Sequence, residues 1–356
     1  MIYALSIDWL SLYCESDTGE ICQYVDRYTY EIAPHGTRQF KQLIYVRMDG
    51  EDFAEVQQIP CSNVLKSRTL IVKFCNRFLY SKALWHLVSR FLEQNKLRVL
   101  NISRVDLCAD FNSFHRELHP ISLIKGFLSS TYRHIGRGLG SSHFNHSARK
   151  EGKYSRSFLN YTGLSFGTNE SASKVYLYNK SFELVTVKDK PYIRQLWQLA
   201  GLKNDRDNDV WRLEVSIKSK GMQFKDKKTK DVHKLSTENL TENQYLSLIY
   251  HTFVRSLFSF IRNRDGITNV SREPRLQLFN GEPFIERCVL NQQSAGNRTE
   301  RILIKQLWQM CDTYRGNDIV EDEGISKLLA TNLAQNTNLS EWLANKSKTW
   351  KQPTKK

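Results

Sequence analysis

The sequence predicts an α+β protein, with an antiparallel-sheet domain in residues 1–235 and an all-α C-terminal region in residues 236–356. Two observations lead to this prediction. Several segments before residue 235 alternate apolar and polar side chains with a period of two, the pattern of strands that bury one face. From about Thr237 onward, apolar residues recur at the spacing of α-helices.

Length and composition agree with two folded domains. The chain has 356 residues, and about 150 residues per domain is the usual size. Hydrophobic residues make up 40% and charged residues 25%, which excludes a disordered or low-complexity protein.

Four segments are predicted to be strands: residues 7–13, 102–111, 174–180 and 210–218. In each of the last three, one face is apolar and the other carries charged or hydroxyl side chains. If these strands are neighbours, their polar faces converge on one surface. The residues concerned are Asp106, Asp110, Tyr178, Lys180 and Glu214. The alternative is an ordinary antiparallel sheet with a solvent-exposed charged face.

Helices are predicted from the apolar periodicity. An amphipathic helix is expected over residues 82–96, and a short one within residues 186–209. In the C-terminal region we expect one long helix over residues 240–261 and three shorter ones at 300–311, 325–334 and 340–345. The Gly- and Ser-rich residues 131–173 predict long loops or hairpins.

The formal net charge is +15, and the excess is concentrated in residues 131–156, 218–230 and 346–356. One such cluster alone is typical of a solvated loop or tail. Three together favour a polyanionic partner, most simply nucleic acid. The predicted contacts to DNA are Arg133, Arg137, Arg149, Lys150, Lys153, Arg156, Lys174, Lys218 and Lys220.

The seven cysteines are scattered and form no Cys-x-x-Cys pair, so we expect reduced thiols and no structural zinc. Asp8 interrupts the apolar N-terminal stretch, and no basic segment precedes it, so we expect no signal peptide. No apolar run is long enough to span a membrane. These features predict a cytoplasmic protein without a membrane partner. The sequence also lacks the G-x-x-x-x-G-K-[ST] motif of ATP hydrolysis.

The polar faces suggest phosphodiester chemistry. Carboxylates on one face can hold Mg²⁺ or Mn²⁺, which polarises a phosphodiester. A tyrosine can attack phosphorus, although its ordinary pKa near 10 makes it a weak nucleophile at pH 7. A metal ion or a lysine such as Lys180 would favour the phenolate.

Several segments resemble the Rep_trans family of replication initiation factors, over roughly residues 5–220. Residues 104–111 resemble its Arg-x-Asp-x-x-x-Asp-Phe segment, and residues 161–174 its Tyr-x-Gly…Ser hairpin. Residues 178–183 are similar to its Tyr-[Asp/Asn/Glu]-Lys…Glu segment. Residues 211–215 are similar to its Arg-x-Glu strand, and residues 7–11 to its opening segment.

The resemblance implies a nickase-like catalytic domain whose tyrosine attacks one strand of origin DNA and leaves a 5′-phosphotyrosyl protein and a free 3′-hydroxyl. It implies Tyr178 as the nucleophile, with Lys180 and Arg212 contacting phosphate or orienting the acids. The implied metal ligands are Asp106, Asp110 and Glu214, with Glu183 a weaker candidate. Candidate partners are hairpin, single-stranded or supercoiled origin DNA, a host helicase and a second copy of the chain.

Alternatives remain open at this point. Tyr176 shares a face with Tyr178 and could be the nucleophile. The two arginines Arg104 and Arg212 could form structural ion pairs, and Asp110 could cap a turn at residues 112–113. The helix in residues 186–209 could contact DNA or only link two strands. A conjugative relaxase uses the same chemistry, and a DNA-binding regulator could use the same fold without catalysis.

Overall fold

The sheet is built from strands that the period-two pattern predicts. A computed structural model describes residues 1–22, 27–61, 67–136, 144–151, 158–168, 170–264 and 269–289. The side chains of residues 149–160, 271 and 289 are also outside this description. The described residues belong to one compact unit, Met1–Leu290. The helices predicted at 300–311, 325–334 and 340–345 and the basic segment 346–356 lie outside the described residues.

The strands are β1 Tyr3–Glu15, β2 Tyr28–Ile32, β3 Phe40–Met48, β4 Glu51–Pro60, β5 Thr69–Phe74, β6 Arg98–Phe111, β7 Tyr132–His134, β8 Phe144–Glu151, β9 Phe158–Phe166, β10 Ser173–Asn179, β11 Trp211–Lys218, β12 Gln223–Asp226, β13 Val232–Lys234, β14 Phe260–Arg262 and β15 Arg287–Val289. The helices are α1 Asn76–Leu79, α2 Leu84–Gln94, α3 Pro120–Leu128, α4 Lys180–Thr186, α5 Pro191–Ala200, α6 Thr237–Leu240 and α7 Asn243–Leu257.

Ten of these strands form one antiparallel sheet in the order β2-β3-β4-β5-β1-β6-β11-β10-β9-β8. The three strands with mixed faces, β6, β11 and β10, are consecutive neighbours at its centre. The predicted α+β class and the expected convergence of these strands are therefore both confirmed. Two smaller sheets, β13-β12-β15 and β14-β7, complete the strand pairing of the described residues.

One face of the large sheet is the protein core. Successive side chains of the central strands point to opposite faces of the sheet. One of the two sets, which includes Leu107, Leu213 and Leu177, is buried in this core. Helix α2, the amphipathic helix predicted at 82–96, packs on one half of this apolar face. Helices α3 and α7 and the β7–β14 ribbon belong to the same buried cluster.

The opposite, polar face is covered only in part. A second apolar cluster from α4, α5 and the segment before β11 lies over its end near Ala4. The sequence predicted a short helix in residues 186–209, and the structure places α5 in that interval. The buried Ile193 and Trp197 anchor this helix in the cluster. Helix α5 is therefore a cover over one end of the polar face.

The long helix predicted over residues 240–261 is wrong in its boundaries. The chain breaks between α6 and α7 at Glu242, whose backbone is extended. Helix α7 ends at Leu257, and the apolar residues that follow form β14, where Phe260 pairs with His134 of β7. The described part of residues 236–356 also contains β15, so it is not all-α. Pairing with distant strands overrides a local helical pattern here.

No helix within the described residues combines the length and the apolar character that a bilayer crossing requires.

The predicted domain boundary at residues 235/236 lies where the main chain enters α6, yet α7 contributes to the main core. Its Tyr250 hydroxyl donates to the carbonyl of Leu213 at 2.9 Å, and Phe253 is fully buried. The division into domains 1–235 and 236–356 stays a prediction.

Fragments test this division. We expect residues 1–290 to unfold in one cooperative urea transition, followed by circular dichroism. Residues 1–235 should aggregate or unfold without cooperativity, because removal of α7 uncovers part of the apolar face. Cooperative unfolding of the shorter fragment at a similar midpoint would instead support the boundary at 235/236.

Candidate active site

The sheet register places the predicted site residues on one face. In an antiparallel sheet, residues directly opposite each other point to the same side. Two rows across β10, β11 and β6 are formed in this way. The first row is Tyr178, Arg212 and Asp110, and the second is Tyr176, Glu214 and Cys108. Ser216 lies opposite Asp106, one row further from the covered end.

Arg212 is the centre of a buried ion-pair network. Its guanidinium is fully buried and donates to both oxygens of Asp110, from Nε at 2.6 Å and from Nη2 at 2.8 Å. Its Nη1 donates to Oδ1 of Asp8 at 2.5 Å. Burial alone would lower the pKa of Arg212, but Asp110 and the other negative groups hold it well above its usual value. Arg212 therefore binds the acids and does not reach the surface where a phosphate would lie.

Both carboxylate oxygens of Asp110 accept hydrogen bonds within this network. Besides the arginine, its Oδ2 accepts a hydrogen bond from Nε1 of Trp197 at 2.7 Å, and its side chain is completely buried. It therefore does not cap the turn at residues 112–113. A metal ion would have to displace Arg212 to reach Asp110, so the predicted metal role has no support in this geometry.

Asp8 is a site residue that the sequence analysis did not identify. It lies at a register shift in β1, and its Oδ1 also accepts a hydrogen bond from the Tyr80 hydroxyl at 2.5 Å. Burial alone would raise the pKa of Asp8, but the positive charges of Arg212 and Lys180 hold it well below its usual range. A single carboxylate inside an apolar strand was the available signal.

Tyr178 is half-buried and contacts both a base and a cation. Its hydroxyl donates to Oε2 of Glu214 at 3.0 Å, and Nζ of Lys180 donates to the same hydroxyl at 3.4 Å. Burial and the charge of Glu214 raise the pKa of Tyr178 well above its usual value. The expectation that a metal ion or Lys180 would favour the phenolate stays a prediction.

Lys180 is held in place by a second contact. Its Nζ forms an ion pair with Oε2 of Glu183 at 2.6 Å, and its side chain is almost fully buried. Asn179 ends the strand and caps α4 by accepting a hydrogen bond from the backbone N–H of Phe182 at 2.8 Å. The run Tyr178-Asn179-Lys180 thus joins a strand end to a helix start and brings the ammonium back to the phenol.

Glu214 has the properties of a base. Burial, followed by the negative charges of Asp8 and Asp106, raises its pKa to about 8. A carboxylate with a raised pKa accepts a proton more readily once it is ionised. Glu214 lies within hydrogen-bond distance of the Tyr178 hydroxyl, so a proton can pass directly between them.

Asp106 is also buried and is paired with an arginine. Nε and Nη2 of Arg104 donate to its two oxygens at 2.9 and 2.6 Å. Burial raises the pKa of Asp106, although Arg104 acts in the opposite direction. In the part of the chain that the structure describes, no three His, Cys, Asp or Glu side chains are grouped to hold a metal ion. The predicted ligands share a face but do not form a ready metal site.

The end of the polar face away from α4 and α5 combines cations with aromatic rings. Arg104 and Lys73 lie 4.3 and 4.4 Å from the ring centre of Trp9, and Nζ of Lys174 lies 5.1 Å from that of Tyr176. We call this set, with Lys218 opposite Arg104, the basic rim. Lys73 and Trp9 were not identified from the sequence, because only the sheet order brings them beside β6.

The other predicted DNA contacts are placed differently. Lys220 is exposed directly after β11, close to the basic rim along the chain. Arg133 is exposed on β7, whose His134 stacks on Phe166 of the apolar face, so it lies on the other side of the sheet. Arg149 and Lys150 belong to β8, but their side chains are outside the described residues. The same holds for the whole of Arg137, Lys153 and Arg156.

Comparisons with known proteins give a likeness among solved structures. No family model and no curated protein matches the sequence. Among solved structures, the rolling circle replication initiator protein from Geobacillus stearothermophilus matches with 13% sequence identity and a TM-score of 0.43. The match covers 76% of this chain and 92% of that chain.

The ion-pair network predicts a large stability effect. Arg212→Met removes the cation from two buried carboxylates, so we expect a loss of about 3–5 kcal/mol in the free energy of unfolding, measured with urea. The control is Arg27→Met, which breaks the exposed pair of Arg27 with Asp49 at 2.7 Å and should leave the midpoint nearly unchanged. Equal effects of the two variants would contradict a structural role for the network.

Proposed function

We propose that the protein nicks one strand of DNA through attack by the Tyr178 hydroxyl and thereby initiates rolling-circle replication of a plasmid, phage or mobile element. The observation that carries this proposal is the contact between Tyr178 and Glu214 at 3.0 Å. A nucleophile in direct contact with a base of raised pKa is the arrangement that covalent catalysis needs. The Rep_trans-like motifs supply the same tyrosine and the same glutamate.

In the proposed step, the phenolic oxygen forms a bond to phosphorus while its proton passes to Glu214. The bond from phosphorus to the 3′-oxygen breaks, and this oxygen leaves as a free 3′-hydroxyl after taking a proton. Lys180, at 3.4 Å from the phenolic oxygen, stabilises the negative charge that develops there. The product is a 5′-phosphotyrosyl protein.

The basic rim would hold the DNA strand beside this pair. Lys174 and Lys218 lie on the same face as Tyr178, and Arg104 of β6 lies opposite Lys218 of β11. Cations attract the phosphate backbone without regard to sequence. Aromatic rings nearby, such as Tyr176, offer surfaces on which unpaired bases can stack. Single-stranded or hairpin DNA is therefore the substrate we propose, with a host helicase and a second copy of the chain as further candidate partners.

The dependence on Mg²⁺ or Mn²⁺ is a separate proposal. Asp110 is bound by Arg212 and Asp106 by Arg104, so the predicted ligands do not fit a cation as they lie. No step above depends on a metal ion. Asp106 and Glu214 remain the candidate ligands, because they are the two acids whose raised pKa values a cation would lower.

A second candidate is a DNA-binding regulator without catalysis. The observation that favours it is the pKa of Tyr178, which is raised well above its usual value. A phenol that stays neutral can donate a hydrogen bond to phosphate instead of attacking it.

A conjugative relaxase would use the proposed chemistry on a different DNA. Trapping experiments with replication-origin DNA and with conjugative transfer DNA separate the replication initiator from the relaxase.

Covalent trapping tests the nucleophile. Incubation with supercoiled or single-stranded origin DNA should give a protein–DNA adduct that survives denaturing electrophoresis. Tyr178→Phe should abolish the adduct because it removes the attacking oxygen. The matched control is Tyr176→Phe, on the same strand face, which should retain it. An adduct that persists in Tyr178→Phe and is lost in Tyr176→Phe would move the nucleophile, and no adduct in any variant would favour the regulator.

The pH dependence tests the base. Only ionised Glu214 can accept the proton, so the nicking rate should rise as the pH passes through about 8. Glu214→Gln should lower the rate by about 10²–10⁴ at pH 9 and remove this rise. An unchanged pH profile in Glu214→Gln would assign the rise to another group.

The same pH profile tests the metal proposal. If Mg²⁺ or Mn²⁺ binds Glu214, adding the ion should move the midpoint of the wild-type profile below 8, whereas a metal chelator should restore the midpoint.

A further inference from the structure

Four cations surround a small cavity on the far side of α7 from the sheet. Its volume is about 230 Å³, and its lining includes Lys227, Arg255, Arg275 and Arg287. The carboxylate in this lining is that of Glu286. The cavity therefore carries a clear positive excess. The proposed chemistry gives it no role, and of its four cations Lys227 alone belongs to one of the basic segments found in the sequence.

Arg287 is the unusual member of this set. It is only 9% exposed, and its guanidinium lies 4.1 Å from the ring centre of Phe253. Its buried Nε has no hydrogen-bond partner, and no ion pair to a carboxylate is seen for it among the described residues. Burial lowers the pKa of Arg287 to about 10. A buried cation without a compensating charge is costly, which points to an anion that offsets it.

The neighbouring cations are held in fixed positions. Nη1 of Arg275 donates to the carbonyl of Arg255 and to Oγ of Ser259, both at 3.1 Å. The guanidinium of Arg255 lies 3.9 Å from the ring centre of Phe284. Burial lowers the pKa of Arg255, and Glu286 acts against this shift. The two guanidinium groups are thus placed by protein contacts before any anion arrives.

Lys227 is positioned by the backbone. Its N–H donates to the carbonyl of Glu286 at 2.8 Å, at the end of the pairing between β12 and β15. This contact places the lysine at the cavity beside the segment that carries Arg287. Ammonium and guanidinium groups that converge in this way form the usual protein site for a phosphate group, since the guanidinium fork matches two of its oxygens.

We propose that this cavity binds a phosphate group. Its volume is below the roughly 300–1,000 Å³ of pockets that enclose whole small molecules, so a phosphate fits better than a complete nucleotide. Helix α7 and the sheet lie between the cavity and Tyr178, because Tyr250 of α7 packs on Leu213 from the apolar side. The site is therefore distinct from the polar face and does not depend on nicking.

Two sources can supply the phosphate: free inorganic phosphate and a phosphodiester of the DNA backbone. Both present the same tetrahedral anion to the guanidinium groups. A backbone phosphate would mean that a second DNA segment crosses the protein behind the sheet. Free phosphate would mean a small-molecule site.

Phosphate titration of the full chain tests the site. We expect inorganic phosphate, added at constant ionic strength, to bind in calorimetry and to raise the melting temperature of the wild type. Arg287→Met keeps most of the side-chain volume and should weaken phosphate affinity by about tenfold or more. In phosphate-free buffer it should melt at or above the wild-type temperature, because it removes an uncompensated buried charge.

Further variants keep the test independent of folding. Lys227→Met should weaken phosphate binding without lowering the melting temperature in phosphate-free buffer, and the control Lys125→Met, on the exposed side of α3, should change neither. The proposal is overturned if phosphate does not bind, or if Arg287→Met leaves its affinity unchanged. A melting temperature of Arg287→Met below that of the wild type in phosphate-free buffer would also overturn it, since the contact of the guanidinium with Phe253 would then be enough to offset its burial.

DNA binding separates the two sources. Fluorescence anisotropy with labelled single-stranded and duplex DNA should give a weaker affinity for Arg287→Met, and competition by phosphate, if the backbone occupies the cavity. Equal DNA affinity of the two proteins, together with the phosphate effect, would assign the site to free phosphate. Loss of nicking in Tyr178→Phe has no bearing on either result, so this proposal and the proposed function fail independently.

Discussion

The ion pair between Arg212 and Asp110 is the interaction on which the polar face depends. It joins β11 to β6 at the centre of the sheet, and its third contact, to Asp8, extends the connection to β1. A fully buried guanidinium must be paired, so these three strands must keep their register. The same charge holds Asp8 ionised, and ionised Asp8 is one cause of the raised pKa of Glu214. A structural ion pair thus contributes, after burial, to the raised pKa of a residue that contacts the candidate nucleophile.

The cover formed by α4 and α5 explains why only part of this face can be a site. Trp197 of α5 donates to Asp110 and closes the end of the face at which the ion pair lies. The other end carries Lys174 and Lys218 and has no helix over it among the described residues. If the protein binds DNA as proposed, the end with the basic rim is the side from which a strand would approach Tyr178, and positive charge would then lie along its path.

The period-two pattern predicted the central strands and the direction of their side chains, because alternation is a local property of the chain. It could not predict which acid meets which arginine, since the pair of Asp110 and Arg212 depends on strand order. Asp8 was not identified because only the strand order, which places β1 beside β6, brings it to Arg212. The segment after Leu257 looked helical for a related reason. Its apolar spacing fits a helix, and only pairing with the distant β7 makes it a strand.

The charged side chains around Tyr178 limit which catalytic mechanisms are possible on the polar face. Four cations, Arg104, Lys180, Lys190 and Arg212, face four carboxylates, Asp8, Asp106, Asp110 and Glu183, before Glu214 is counted. Ionising Glu214 so that it can act as a base makes the set more negative, and an approaching phosphodiester adds a further negative charge. Coulomb repulsion in a partly buried site would oppose both events. Catalysis on this face would therefore require further positive charge near the phosphodiester, either from the lysines of the basic rim or from a divalent cation. Lysines alone would make nicking independent of added metal, whereas a cation would couple the ionisation of Glu214 to metal binding.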